Sequence, residues 1–141
     1  MLCLSGLYQH KVDAKGRMSL PADFRKLVPE RLYVTLSPES NCLYIFEESG
    51  FTSWVESLFE KDGGFQPSNL NHVKIRKVLN SRAKIVDVDA SGRICISQEQ
   101  RELASLGTQV SIIGDNDHFE VWNSERWASF ADDVDLMSLF D

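Results

Sequence analysis

Two short stretches of this chain set an arginine four residues after an aspartate and directly after a glycine. They are Asp13-Ala14-Lys15-Gly16-Arg17 and Asp89-Ala90-Ser91-Gly92-Arg93. An aspartate at the head of such a stretch can accept backbone N–H groups from the residues that follow, and a glycine can take the positive φ that a tight turn demands. The arginine then stands at the exit of a rigid turn. Its planar fork matches guanine O6 and N7 in a major groove and equally matches a phosphate. The residues alone do not separate these two roles. They also allow a plain structural reading, in which Arg17 and Arg93 pair with Asp13 and Asp89 and do nothing else. Lys15 is a flexible point charge suited to a phosphate, and Ser91 replaces it in the second stretch. Lys11, Arg25 and Lys26 extend the basic footprint of the first.

These turns need strands to hold them. Tyr8, His10 and Val12 alternate with Leu7, Gln9 and Lys11, as in a half-buried strand, and Met18 and Leu20 alternate in a second. Pro21 suits a helix start, so Ala22 to Leu27 is expected to form a short helix. Strands over Leu32 to Leu36 and Leu43 to Phe46 follow, joined by a turn at Ser37-Pro38-Glu39-Ser40-Asn41. A longer helix, with Ser49 as its cap, carries Phe51, Trp54, Val55, Leu58 and Phe59 in one apolar stripe.

The same programme recurs 76 positions later. Asp13 to Leu20 lies over Asp89 to Ile96, Arg25 over Arg101, and Val34 and Leu36 over Val110 and Ile112. Leu43, Ile45 and Phe46 lie over Phe119, Val121 and Trp122. Read without a gap, the repeat divides the chain into a first module at 1–62, a linker with the start of a basic helix at 63–76, and a second module at 77–141. The second stripe, Trp127, Phe130, Ala131 and Val134, is expected to be core or module packing, like the first. Asp62 to Asn69 breaks structure, and Asn71 is expected to cap a helix from Val73 to Leu79 carrying Lys74, Arg76 and Lys77. Those three either line the basic face or form the solvated side of the linker. Leu136, Met137, Leu139 and Phe140 form an apolar tail expected to dock on the core or on a neighbouring subunit.

Charge follows the repeat. The chain totals 141 residues and −6, but residues 1–31 carry +3, 32–70 carry −5, 71–103 carry +3 and 104–141 carry −7. A fold that gathers the basic blocks presents a positive face on an acidic protein. Other chemistries find little support. His10, His72 and His118 belong to no metal-binding unit such as HExxH. Gly63-Gly64 is an isolated doublet rather than a phosphate loop, and no GxSxG elbow is present. Neither an enzyme nor a cofactor is expected. Cys3, Cys42 and Cys95 are widely spaced and odd in number, which argues against a secreted disulfide scaffold. Met1 to Leu7 lacks the basic start and length of a signal peptide, and no apolar run spans a bilayer. The expected setting is the cytoplasm, without a membrane partner.

The ordered set resembles the MraZ family over essentially the whole chain. It comprises Gly6, then Asp13-Ala14-Lys15-Gly16-Arg17, Met18-Ser19-Leu20-Pro21 and Phe24-Arg25, then Val73-Lys74-Ile75-Arg76-Lys77. Asp89 to Arg93 and Phe119-Glu120-Val121-Trp122 with Trp127 complete it. The resemblance implies an α+β fold of two tandem AbrB-like swapped-hairpin modules, β-barrel-type with short and long flanking helices and pseudo-twofold within the chain. It implies a nucleoid-associated DNA-binding transcriptional regulator that reads short direct G-rich repeats upstream of its own operon, the division and cell wall gene cluster, usually repressing it. It further implies homo-oligomeric rings on double-stranded DNA, with Arg17 and Arg93 as key contacts and Asp13, Gly16, Asp89 and Gly92 shaping the turns. The opening from Met1 to Ser5 is slightly longer than usual. Ser97 replaces a proline and is expected to loosen its turn. A protein-interaction or antitoxin-like module is the main rival reading; a nucleic-acid-modifying enzyme and a purely structural ring are weaker ones.

Overall fold

The computed structural model describes residues 2–39 and 41–141. Met1 in the apolar opening and Ser40 in the expected Ser37–Asn41 turn lie outside them. Among the described residues, eight strands and five α-helices follow in an order that repeats. The first copy holds β1 (Leu7–Lys11), β2 (Arg17–Ser19), α1 (Ala22–Arg25), β3 (Arg31–Leu36), β4 (Leu43–Phe46) and α2 (Glu48–Ser57). After α3 (Leu70–Ser81), the second holds β5 (Lys84–Asp87), β6 (Arg93–Cys95), α4 (Gln98–Leu103), β7 (Gln109–Asp115), β8 (His118–Asn123) and α5 (Ser124–Asp132). The chain is thus α+β, with two similar sheet-and-helix modules.

The copies exchange strands. One six-stranded antiparallel sheet has the order β1-β7-β8-β4-β3-β5, so β1 of the first copy pairs with β7 of the second and β5 of the second with β3 of the first. A separate two-stranded ribbon pairs β2 with β6. Met18 sits opposite Ile94 in the ribbon, and Tyr44 opposite Glu120 in the sheet. Each of these residues thereby meets its own counterpart in the repeat.

The registers correct one reading of the repeat. Tyr8 and His10 lie opposite Ile112 and Val110, while their counterparts Lys84 and Val86 lie opposite Val34 and Leu32. Leu32 and Val34, not Val34 and Leu36, are therefore the structural equivalents of Val110 and Ile112. The second copy has two extra residues before β7 and a β7–β8 turn shorter by two. A two-residue slip keeps every side chain on its own face, so the apolar alternation does not reveal it.

The main core lies between the sheet and the ribbon. Met18, Ile94, Leu20, Ile96 and Phe24 pack with Leu32, Val34, Ile45, Val110, Ile112, Phe119 and Val121. A smaller core on the other face gathers Phe46, Phe51, Val55 and Phe59 under α2. The first apolar stripe is thus buried along one edge, with Trp54 half-buried and Leu58 exposed. The second stripe is not. α5 contributes no buried residue, and Phe130 and Val134 are about half exposed. Trp127 and Phe130 rest against the Trp122 ring, with centroids 5.4 and 4.8 Å away. The tail Leu136–Phe140 forms a 3₁₀ turn and does not dock on the core; Leu139 is 80% exposed.

Helix ends also differ from expectation. Ser49 lies inside α2, which starts after Glu47 without a side-chain cap. The linker helix begins three residues before Val73, capped by Asn69, whose side chain accepts the His72 N–H at 3.1 Å. Buried His72 braces the preceding loop through Asp62 and the Gln66 amide. Ser97 does not loosen its turn. Its hydroxyl accepts the Gln100 N–H, and α4 runs six residues where α1, entered from Pro21 with no side-chain cap, runs four. A serine oxygen satisfies an amide that proline leaves open.

Candidate functional site

Both aspartate-to-arginine turns close in the same way. The Gly16 N–H donates to the Asp13 carbonyl and the Asp13 N–H to the Arg17 carbonyl; Gly92, Asp89 and Arg93 repeat both bonds. One carboxylate oxygen of Asp13 accepts the Lys15 and Arg17 amides at 2.9 Å each, and Asp89 does the same for Ser91 and Arg93. The other oxygen takes the arginine Nε, at 2.7 Å from Arg17 and 3.2 Å from Arg93. These contacts hold both carboxyls below the usual carboxylate range. In each the following arginine's backbone N–H is the largest cause, working against desolvation.

Gly16 and Gly92 have φ of +90° and +78°. A Cβ on Gly16 would collide with the Ile96 carbonyl oxygen and approach Arg101 Nε at 3.0 Å. A Cβ on Gly92 would meet the Arg25 side chain at 2.7 Å. Each turn is therefore roofed by an arginine from the other copy. Arg25 donates to the Ala90 carbonyl at 2.8 Å, and Arg101 to the Ile96 carbonyl at 3.1 Å.

The ribbon orients the turn arginines. Met18 and Ile94 fill its inward face, so Arg17, Ser19, Arg93 and Cys95 share the outward one. Arg17 lies opposite Cys95 and Arg93 opposite Ser19, which makes the two arginines diagonal neighbours roughly 7–8 Å apart. Among the described residues, the aspartates occupy only Nε, and neither pair of Nη groups has a protein hydrogen-bond partner. The geometry thus contains both readings of the sequence: a salt bridge to the aspartate, and an outward fork left over.

The remaining basic residues divide. Lys15 is exposed on the first turn, Lys11 is exposed at the end of β1, and Lys26 is exposed just past α1. Arg25 is engaged with the second turn. Arg76 lies over the Phe65 ring, 3.5 Å from its centre, and faces Glu56 at 3.6 Å, so it fastens α3 to the Phe65 loop and to α2. Lys74 and Lys77 are exposed on α3.

A second cluster was missed by the sequence reading. His118, Glu120 and Trp122 point to one face of β8, and Cys42 and Tyr44 of the β4 region face them. His118 Nδ1 lies 2.8 Å from Asp117 and Nε2 2.8 Å from Glu120, with Asp115 at 3.8 Å. The Trp122 N–H donates to the other Glu120 oxygen at 2.9 Å, and the Cys42 thiol lies 3.8 Å from that oxygen. Burial opposes charge on both central groups. It is outweighed by their mutual hydrogen bond, with Asp117 helping to raise His118 and Trp122 helping to lower Glu120. Burial first, then the Glu120 charge, pushes the Cys42 thiol and the Tyr44 phenol far up. A histidine with carboxylates three residues before it, one before it and two after it is the signal that was available.

A family model described as "MraZ protein, putative antitoxin-like" matches residues 3–66 and 79–141. The chain belongs to the MraZ family. Similar proteins carry the name "Transcriptional regulator MraZ". That of Marinomonas sp. (strain MWYL1) is 33% identical over 132 residues, 91% of this chain and 85% of that protein. That of Roseiflexus castenholzii is 33% identical over 136 residues, 96% and 92% of the two chains. That of Acetivibrio thermocellus is 34% identical over 134 residues, 93% and 88%. Both stretches matched by the MraZ model contain one aspartate-to-arginine turn, and the gap between them covers residues 67–69 and most of α3. These relatives are named as regulators, not enzymes, and no helix of the described residues is long and apolar enough to cross a membrane.

Proposed function

We propose that this MraZ-family chain is a sequence-specific transcriptional regulator that binds double-stranded DNA through the β2–β6 ribbon. The observation that carries the reading is the pair Arg17 and Arg93. They share one outward face, each anchored at Nε by its own aspartate and each keeping two Nη donors for a ligand. Anchoring removes much of the rotamer freedom an arginine would otherwise lose on binding. A major groove admits a two-stranded ribbon, and the Nη fork fits guanine O6 and N7. This supports G-rich targets. Lys15 and Lys11 add phosphate contacts, and Arg25 acts by holding the second turn. Lys74, Arg76 and Lys77 widen the footprint only weakly, since Arg76 is spent on Phe65 and Glu56.

In this reading the protein represses the division and cell wall gene cluster from short direct repeats upstream of its own operon, and resides on the nucleoid. Direct repeats call for side-by-side readers, which a homo-oligomeric ring supplies with a gain in effective concentration. The exposed tail Leu136–Phe140 supports association with a neighbouring subunit. The self-matched pairs Met18–Ile94 and Tyr44–Glu120 support a pseudo-twofold relation between the copies. The Val12–Met18 bridge, which ties β1 to the ribbon, supports a barrel-type closure. The boundaries 1–62, 63–76 and 77–141 then mark units of the repeat rather than separable bodies.

The test is fluorescence anisotropy on the duplex upstream of the protein's own gene, beside a scrambled duplex, at two salt concentrations. Tight binding to the native duplex alone, weakened by salt, is the expected result. The description "antitoxin-like" on the family model favours a second reading, in which a protein partner is the main ligand. Equal, weak binding to both duplexes by the intact oligomer would favour it.

A further inference from the structure

We propose that Asp115, His118 and Glu120 form a binding site for one divalent cation of the zinc class. The three residues come from the end of β7 and the start of β8, and their ligand atoms all lie within 4.8 Å of one another. One imidazole nitrogen with two carboxylates is a donor set suited to zinc and its transition-metal neighbours, whereas magnesium prefers oxygen alone. Three protein ligands leave coordination positions open to water.

The surroundings match what such a site requires. A metal-bound histidine donates its other ring N–H to a carboxylate or carbonyl, which fixes the tautomer. His118 Nδ1 has Asp117 in that place, 2.8 Å away. This leaves Nε2 facing Glu120 and Asp115. Glu120 is steadied on its other oxygen by the Trp122 N–H at 2.9 Å. The Tyr44 and Phe46 rings sit 4.8 and 4.9 Å from the imidazole and hold its plane. His118 and Glu120 are each 8% exposed, so both are fixed before any ion arrives.

The charge balance points the same way. Three carboxylates surround one imidazole, and among the described residues His118 is their only ion-pair partner. Even a fully protonated imidazole supplies one positive charge against three negative. An incoming cation takes the place of the Nε2 proton, which leaves to solvent, and adds one net positive charge to the site. Access is provided by a cavity of about 500 Å³, lined by Asp115, Glu120, Tyr44, Trp122, Trp127 and Phe130.

The experiment is calorimetric titration of the chelator-treated full chain with Zn²⁺, with Mg²⁺ as comparison, while tryptophan emission is followed. Saturation at about one equivalent of Zn²⁺, with a change in emission as the Glu120 charge beside Trp122 is neutralised, is expected; Mg²⁺ should give neither. Asp115 and Asp117 are more than half exposed, so their variants keep the fold, as circular dichroism would verify. Asp115→Asn, which removes a ligand, and Asp117→Asn, which removes the carboxylate behind His118, should each weaken Zn²⁺ by about 10–100-fold. His118→Gln should abolish the one-equivalent step. Absence of saturable Zn²⁺ binding by the wild type would overturn the site. So would unchanged affinity in both folded aspartate variants, since that would place the ion elsewhere.

Discussion

At the scale of single residues, Arg17 and Arg93 serve two masters. Each ties its turn together through Nε and holds its Nη groups outward. The side chains are 41% and 37% exposed, so alanine there should change stability by only about 0.5 kcal/mol. Specific DNA affinity should fall by about 1–3 kcal/mol per arginine, measured by anisotropy beside thermal melts. Lysine at either position should not restore it, because a point charge cannot pair bidentately. The aspartates make a separate prediction. Their carboxyls are held low in the fold, so their contribution is complete above the unfolded value near about 3.9 and is lost as pH falls through the lower folded value. Melting temperature of the wild type should therefore drop more steeply below about pH 4 than that of the Asp13→Asn, Asp89→Asn double variant. Parallel curves would show that the turn bonds carry no stability.

At the scale of elements, the two turns look alike but should not tolerate change alike. Both glycines have positive φ, where a side chain costs on the order of 1–3 kcal/mol. Gly16 faces the Ile96 backbone as well, whereas Gly92 faces the movable end of Arg25. Gly16→Ala should thus lower the denaturant midpoint more than Gly92→Ala. Equal losses would mean that φ alone decides. Alternation revealed most of the strands, and Leu43–Phe46 agrees residue for residue. Caps were less legible. Ser49 and Asn71 are the right residue types, but each is the second residue of its helix, which starts at Glu48 or at Leu70. Strand exchange was legible only through the family resemblance, which implied swapped hairpins, and not from the apolar pattern. Both copies carry the same apolar alternation, so nothing local says whether β1 pairs within its own copy or with the other. The His118 cluster escaped for a related reason. The spacing of Asp115, Asp117 and Glu120 about His118 was visible, but it reads as ordinary surface charge until β8 is found buried on both faces.

At the scale of the whole molecule, the apolar surface left over is as informative as the core. The C-terminal stretch from α5 onward exposes Phe130, Val134, Leu136, Met137, Leu139 and Phe140. Such a patch on an acidic chain calls for a partner. Truncation after Asp135 should lower the mass seen by light scattering and weaken binding to multi-repeat DNA more than to a single repeat. An unchanged mass would assign the patch to another partner.

The interleaving of β1 with β7 and of β2 with β6 also governs how the molecule is made. A ribosome releases the chain in order, and the partners of β1 and β2 in the second copy are encoded more than 70 residues later. At about 5–20 residues per second, β2 waits roughly 4–15 s for β6. During that interval β3 offers an open edge from Arg31 to Leu36, whose proper neighbour β5 has not yet been synthesised. Successive ribosomes on one message would carry many such half-finished chains side by side. A neighbour's second copy could then complete the wrong first copy, giving entangled dimers at birth.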